Sequence, residues 1–191
     1  MEYLAPPDEY RCDQFVLRRY RPDDGPLLRE SVTASQEHLV EWLPWAGVDL
    51  TEELATRRVR EFCGRWLLAT DFLIAITDTD DTMFLGGCGY HLRKQPLGNL
   101  IAECGMWLRP ERSGKGLGTA VLKALLTWGF SDWPWERIEW RCDARNTASY
   151  RAAEKAGMTQ EGAFRHFRMK PEDEPRTSKI FAALRSEWSD D

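Results

Sequence analysis

The order of patterns along this chain predicts the α/β class in its α+β form: a mixed, mostly antiparallel central sheet flanked by helices. Three observations carry that expectation. Residues 72–108 alternate and turn like an antiparallel meander, a glycine-rich segment at 114–118 opens an apolar helix, and a strand, a capped helix and a closing hairpin follow.

Phe15-Val16-Leu17-Arg18-Arg19-Tyr20 reads as a first strand. Pro22-Asp23-Asp24-Gly25-Pro26 breaks it, and Asp23 or Asp24 caps a helix carrying Leu27, Leu28 and Val32. The stretch from His38 to Trp45 is a short aromatic segment stopped by Pro44. Thr51 followed by Glu52 and Glu53 marks a helix start, with an oxygen cap and acids in the first turn. Leu54, Val59, Phe62, Cys63, Trp66 and Leu67 then recur at helical spacing.

Phe72–Ile76 is a strand, 77–81 a turn, Met83–His91 the returning strand, and Lys94–Asn99 a second turn. In the strand Leu100–Leu108, Ala102, Cys104, Met106 and Leu108 alternate with Ile101, Glu103, Gly105 and Trp107. From Gly116 to about Phe130 a helix places Leu117, Ala120, Val121, Ala124, Leu125 and Trp128 on one face. Ile138, Trp140 and Cys142 alternate along a strand, and Asn146 caps a helix that Gly157 ends. Phe164–Met169 and Lys179–Leu184 form a final hairpin around 171–176.

A length of 191 residues suits a single domain, here 1–191 with a core at about 14–188. Thirty-one acidic against twenty-six basic residues give a net charge of −5, which disfavours general nucleic-acid binding. The longest apolar runs, such as 72–76, fall far short of the roughly 20 residues of a membrane span, so no membrane partner is expected. Met1–Pro7 lacks a basic start and a long apolar stretch, so no signal peptide is expected and the location is taken as cytoplasmic. The five cysteines contain no C-x-x-C pair, which points to free thiols in a reducing compartment. The three histidines are scattered, with no metal-ligand spacing, so no metal is expected.

The most informative stretch is Trp107–Thr119, a strand end running through Ser113-Gly114-Lys115-Gly116-Leu117-Gly118-Thr119 into a helix. Close glycines let main-chain N–H groups turn toward an anion, and the helix start adds partial positive charge. Together they favour a pyrophosphate, reinforced by Lys115, Arg112 and the Thr119 hydroxyl. Two nucleotide loops fit badly. Lys115 is not followed by Ser or Thr, and Arg109 stands where a P-loop has its first Gly; the glycines are spaced by two, which is not G-x-G-x-x-G.

Gly114-Lys115-Gly116-Leu117-Gly118-Thr119 after Trp107-Leu108-Arg109-Pro110-Glu111 resembles the acyl-CoA loop of the GNAT N-acetyltransferases, usually written Q/R-x-x-G-x-G/A. Asp143–Tyr150 and Lys155–Gly162 resemble the second GNAT signature in its RimJ/RimL-type form. Leu17–Asp24, Trp42-Leu43-Pro44-Trp45 and Phe181–Trp188 fit the same group. The chain departs from the pattern at Ser113, where the loop usually has Gln or Arg, and at Ala153, where the wider superfamily often has Tyr.

The resemblance implies a GNAT-like acyl-CoA N-acyltransferase fold and direct acetyl transfer from acetyl-CoA, the cosubstrate, to a primary amine. Protein N-terminal α-amines and small-molecule amines both remain open as acceptors. A homodimer is one of the states that members of the group adopt. Ser113, Gly114, Lys115, Gly116, Leu117, Gly118 and Thr119 would receive the pyrophosphate. The backbone of Met106, Trp107 and Leu108 would pair with the pantetheine arm by strand addition, the sheet splaying after this strand. Asn146 would cap its helix and touch the arm. Glu103 would take the amine proton, with Glu161 the weaker alternative. Ser149 would protonate the departing thiolate, with Tyr150 in reserve. Trp42, Trp45, His91 and Glu41 would line the acceptor pocket. Cys104 is not expected to act as an acyl-carrying nucleophile. The competing class is a degenerate CoA-binding module or a regulator using the same loop.

Overall fold

A computed structural model describes residues 7–93, 96–168 and 175–189. It forms two compact units: the chain up to Gly98 together with Gly105–Ser113, and Asn99–Cys104 together with the chain from Gly114 onward.

The first unit contains β1 (Glu9–Arg11), β2 (Val16–Arg19), α1 (Gly25–Leu39), α2 (Glu52–Leu67), β3 (Phe72–Thr77) and β4 (Phe84–His91). It also takes the second half of β5 (Ile101–Leu108). β1 to β4 are an antiparallel run, with Leu17 opposite Ile76 and Ile74 opposite Cys88. The helices cover this sheet through Leu28 and Val32 of α1 and Ala55 and Val59 of α2, packed with Tyr20, Ala75 and Phe84. As the sequence indicates, the Thr51 hydroxyl accepts from Leu54 N at 3.2 Å at the start of α2.

Two readings need correction here. β1 was not expected. Asp24 does precede α1, yet its side chain caps nothing. Both its oxygens are held by Arg18, at 2.8 and 2.9 Å, and one also accepts from Arg21 N at 2.7 Å. Arg18, itself buried, adds Asp81 at 2.7 Å. An ion pair with a residue six positions earlier has displaced the local cap.

The second unit contains the first half of β5, then α3 (Leu117–Ser131), β6 (Arg137–Asp143), α4 (Thr147–Lys155), β7 (Thr159–Arg168) and β8 (Arg176–Leu184). β5 runs parallel to β6, β6 pairs antiparallel with β8, and β8 with β7. Among the described residues, hydrogen-bonded neighbours follow the order β1-β2-β3-β4-β5-β6-β8-β7, a mixed and mostly antiparallel arrangement with four α-helices, which is the expected fold class.

The helix expected to bury one face buries more. Leu122, Leu126, Gly129 and Phe130 of α3 are inside along with Leu117, Val121, Ala124, Leu125 and Trp128, while Ala120 is only half-buried. A helix apolar on most sides belongs inside its domain. Its end is closed from a distance: the Arg185 guanidinium donates to the carbonyls of Phe130, Trp133 (2.6 Å) and Trp135 (3.0 Å). The closing hairpin is longer than the sequence suggests, since β7 begins at Thr159 and β8 at Arg176. Met169 and residues 171–174 of that hairpin, and Lys94 of the earlier turn, lie outside the described residues.

Candidate functional site

The alternation expected along β5 holds for Ala102 and Cys104 and then lapses: Gly105 to Leu108 are all half-buried. The ladder explains where. β5 pairs with β6 from Ile101–Arg137 to Cys104–Trp140. β5 then continues to Leu108 and β6 to Asp143 beyond the last pair. Met106, Trp107 and Leu108, expected to offer main-chain groups to a ligand, are in that continuation.

The second half of β5 is held firmly in the first unit. Arg109 N donates to Leu85 O at 2.8 Å, and the buried Arg109 guanidinium forks onto Glu30 of α1, Nη1 reaching Oε2 at 3.0 Å. A Cβ on Gly86 of β4 would lie 2.1 Å from the Trp107 carbonyl oxygen, so only glycine permits this approach. The Trp107 indole packs against the core cluster and meets Trp45 edge-on, with ring centroids 6.1 Å apart. Trp45 is 37% exposed, and Trp42 is half-buried.

The glycine segment has the conformation that the pyrophosphate reading needs. Gly114 and Gly116 have φ of +73° and +87°, and a Cβ on either would meet nothing within 4 Å. Backbone conformation, not crowding, demands glycine here. Gly116 is the N-cap of α3, and no side chain caps that end. The first N–H groups of Leu117, Gly118 and Thr119 thus have no intrahelical acceptor. Lys115 is exposed and Thr119 half-buried. Ser113 turns back, its hydroxyl 3.4 Å from the Arg109 carbonyl, so it does not replace the charge usual at that corner.

In the second unit α4 starts as read from the sequence. The Asn146 side-chain oxygen accepts from Ser149 N at 3.0 Å. This fixes Ser149 in the first turn, where its Oγ accepts from the Trp140 indole N–H at 3.2 Å. A hydroxyl that accepts from an indole still has its own proton to give. Cys142 is close enough for Ser149 and Trp140 to pull its thiol down, but burial dominates and pushes it up. Tyr150 lies beneath the Lys179 ammonium, 3.8 Å from ring centre to Nζ. Sequence reading missed Trp140 as a partner of Ser149. Its alternation with Ile138 and Cys142 marks it as inward-facing, and only the fold shows what it meets.

The two carboxylates considered as bases belong to one row of ion pairs. Glu103 faces Arg141 at 3.3 Å, Arg141 reaches Glu139 at 2.8 Å, Arg137 joins Glu139 at 3.0 Å, and Arg137 holds Glu161 at 2.8 and 2.5 Å. The Arg137 fork holds the Glu161 carboxyl below the usual range, which makes it a poor proton acceptor. At Glu139, burial pushes upward but the two arginines outweigh it and hold the carboxyl low. Cys104 is almost wholly buried and burial pushes its thiol well up, so it stays protonated and inert.

His91 closes β4. Its Nδ1 lies 2.9 Å from Asp71 Oδ1, and its ring edge passes 3.8 Å from where a Cβ on Gly105 would sit. Thus Trp45 is brought onto β5 at Trp107 and His91 onto β5 at Gly105, both within the first unit. Glu41 is exposed. Among the described residues no group of His, Cys, Asp and Glu is arranged to hold a metal ion, and no helix is long and apolar enough to cross a membrane.

Residues 14–159 match the model of the acetyltransferase (GNAT) domain. The chain is 29% identical over 99 residues to the uncharacterized N-acetyltransferase p20 of Bacillus licheniformis, covering 52% of this chain and 53% of that protein. It is 32% identical over 87 residues to the uncharacterized N-acetyltransferase YnaD of Bacillus subtilis, covering 46% and 51%. The matched stretch thus spans about half the length of these curated relatives. The structure superposes on that of RimL, a ribosomal L7/L12 α-N-protein acetyltransferase in complex with coenzyme A, with TM-score 0.81 at 20% identity, covering 91% and 95% of the two chains.

Proposed function

We propose that this chain, which belongs to the GNAT acetyltransferase family, moves the acetyl group of acetyl-CoA directly onto a primary amine. The observation that carries the reading is the start of α3: left-handed Gly114 and Gly116 lead into a helix end with no side-chain cap. Main-chain N–H groups and a helix dipole at one point suit a diphosphate. The continuation of β5 past its ladder supports the second half of the donor site, where the main chain of Met106 to Leu108 pairs with the pantetheine amides.

The amine arrives neutral or loses a proton, and its nitrogen attacks the thioester carbon. The C–N bond forms and the C–S bond breaks. The amine's surplus proton leaves toward Glu103 or water, and the coenzyme thiolate takes a proton from Ser149, whose oxygen regains one from solvent, so that the products are the amide and the free thiol. Trp140 orients that hydroxyl, and its N–H favours the oxygen as negative charge develops there. Tyr150 under Lys179 is the reserve donor. No step uses a metal-bound intermediate or an acyl-cysteine.

Calorimetry with CoA and acetyl-CoA, followed by thiol release over a panel of peptides and small amines with products identified by mass, tests the reading. Heat with both coenzymes and a product heavier by one acetyl group are expected. No heat with either coenzyme overturns it. Heat without release from any amine moves the chain to the CoA-binding module class.

A further inference from the structure

His91 and Asp71 form a dyad in the first unit that the proton transfers through Glu103 and Ser149 do not use. His91 Nδ1, at the end of β4, lies 2.9 Å from Asp71 Oδ1, just ahead of β3. The other carboxylate oxygen lies 3.6 Å from Nη1 of Arg65, at the end of α2. We propose that His91 takes the amine's surplus proton, directly or through one water, and that Asp71 is the positioning residue that aims it. The proposal rests on the acetyl-transfer reading and assigns a residue to the proton step of that reaction.

The dyad sets the tautomer. A carboxylate only accepts hydrogen bonds, so the hydrogen of the neutral ring sits on Nδ1 and donates to Asp71. The lone pair is then on Nε2, and among the described residues Nε2 enters no hydrogen bond. Arg65 fixes the carboxylate from its far side, so ring and carboxylate are held as a base and its orienter. The His91 and Asp71 side chains are 17% and 19% exposed, sheltered enough to keep that geometry and open enough to exchange protons with water. With Arg65, Thr70 and Arg93 they line a polar cavity of about 290 Å³, which has room for the bridging water.

The free edge of the ring faces the donor strand. Cδ2 and Nε2 both lie 3.8 Å from where a Cβ on Gly105 of β5 would sit. Gly105 has no side chain, so the space beside Nε2 is open. The next three residues, Met106 to Leu108, are those proposed to pair with the pantetheine arm. The glycine segment follows β5 in the chain, so an arm anchored there runs back along the strand from Leu108 to Met106. Its thioester end then comes toward Gly105 and His91.

As the amine nitrogen attacks, the C–N bond forms and the nitrogen has one proton to lose. The Nε2 lone pair accepts it, and the resulting imidazolium faces the Asp71 carboxylate. The C–S bond breaks, and the thiolate takes its proton from Ser149. The imidazolium then gives its proton to solvent before the next turnover. Imidazole ordinarily titrates between pH 5 and 8, which lets one group both take and return a proton near neutrality.

The test uses the full chain with acetyl-CoA and the best acceptor of the peptide and amine panel. His91→Asn keeps an amide N–H for Asp71 and removes the base. It should lower kcat about 10²-fold, with the acetyl-CoA Kd and the melting temperature near those of the unaltered protein. Asp71→Asn should give a smaller loss of the same kind, again in kcat. In His91→Ala, added imidazole should restore part of the rate, and substituted imidazoles should rescue in the order of their basicity. An unchanged kcat in His91→Asn overturns the proposal and leaves acetyl transfer standing. Rescue that is absent, or indifferent to basicity, makes the loss structural and overturns it as well. No product from the unaltered protein with any amine overturns both the proposal and the activity.

Discussion

Replacing Ser149 by alanine separates chemistry from stability in a way that the geometry dictates. General acids contribute about 10²–10⁴-fold. A coenzyme thiolate with pKa near 8.5 needs less help than an alkoxide, so the lower end applies: about 10²-fold in kcat, or about 2.7 kcal/mol. The deficit should shrink above about pH 8.5, where the thiolate leaves unprotonated. Ser149→Ala also strips the acceptor from the Trp140 indole N–H, in a side chain that is 4% exposed. An orphaned buried donor costs about 1–3 kcal/mol of stability. Trp140→Phe alone removes the polarising donor at nearly constant shape and should slow turnover about 2- to 13-fold, the equivalent of one neutral hydrogen bond of about 0.5–1.5 kcal/mol. The double variant removes both partners. Its melting temperature should recover toward that of Trp140→Phe, while its rate stays that of Ser149→Ala. Thiol release against pH, thermal melting and the acetyl-CoA Kd read the three quantities. An unchanged kcat in Ser149→Ala removes Ser149 from the mechanism. A rate that recovers together with stability in the double variant shows that the loss was structural.

Gly116→Glu should abolish the calorimetric signal of acetyl-CoA, whereas Gly116→Asn, tolerated at φ +87°, should retain it; equal binding by both refutes the diphosphate assignment. The Asp81 carboxyl is pushed up by burial but held below its ordinary range by Arg18 and Arg21. The unfolded chain therefore binds its proton at higher pH, so this stability is full above about pH 4 and is lost as pH falls through the folded value. Asp81→Asn should cost about 1–3 kcal/mol at neutral pH and flatten the acid limb of denaturant titrations taken at successive pH values. Arg185→Leu leaves three main-chain carbonyls without their shared donor. It should lower the melting temperature by about 3–12 °C for a loss of about 1.5–3 kcal/mol, with acetyl-CoA affinity unchanged.

What sequence made legible was local and periodic. The Thr51 cap, the Asn146 cap, the stop at Gly157 and the alternation of β6 each depend on residues within one turn or one strand. The left-handed glycines also announced themselves, because few other residues go there. β1 escaped notice because Glu9-Tyr10-Arg11 is paired by its main chain and carries no apolar alternation. Asp24 was misread because residue type suggests a cap, while Arg18 offered a stronger partner. Partnerships distant in sequence leave no period to detect, and Arg109 with Glu30, Arg185 with three carbonyls, Asp71 with His91 and Trp140 with Ser149 are all of that kind.

The row of charges through Glu103, Arg141, Glu139, Arg137 and Glu161 bears on which amine this protein can use. A carboxylate beside a guanidinium is a weaker base than one facing solvent alone, because protonating it gives up the ion pair. Glu161 shows the effect, held low by Arg137. A lysine amine, with pKa near 10.4, is neutral in about one molecule in a thousand at pH 7.5 and needs an effective base. An α-amine near 8 is already about one quarter neutral and needs little more than a route for its proton. A carboxylate held low, as Glu161 is, suits an acceptor of the α-amine kind better than a lysine amine. The same reasoning says that Arg137→Gln, which removes the fork on Glu161, should raise the rate with lysine-like amines more than with α-amines where Glu161 takes the proton, and a uniform effect on both would refute it.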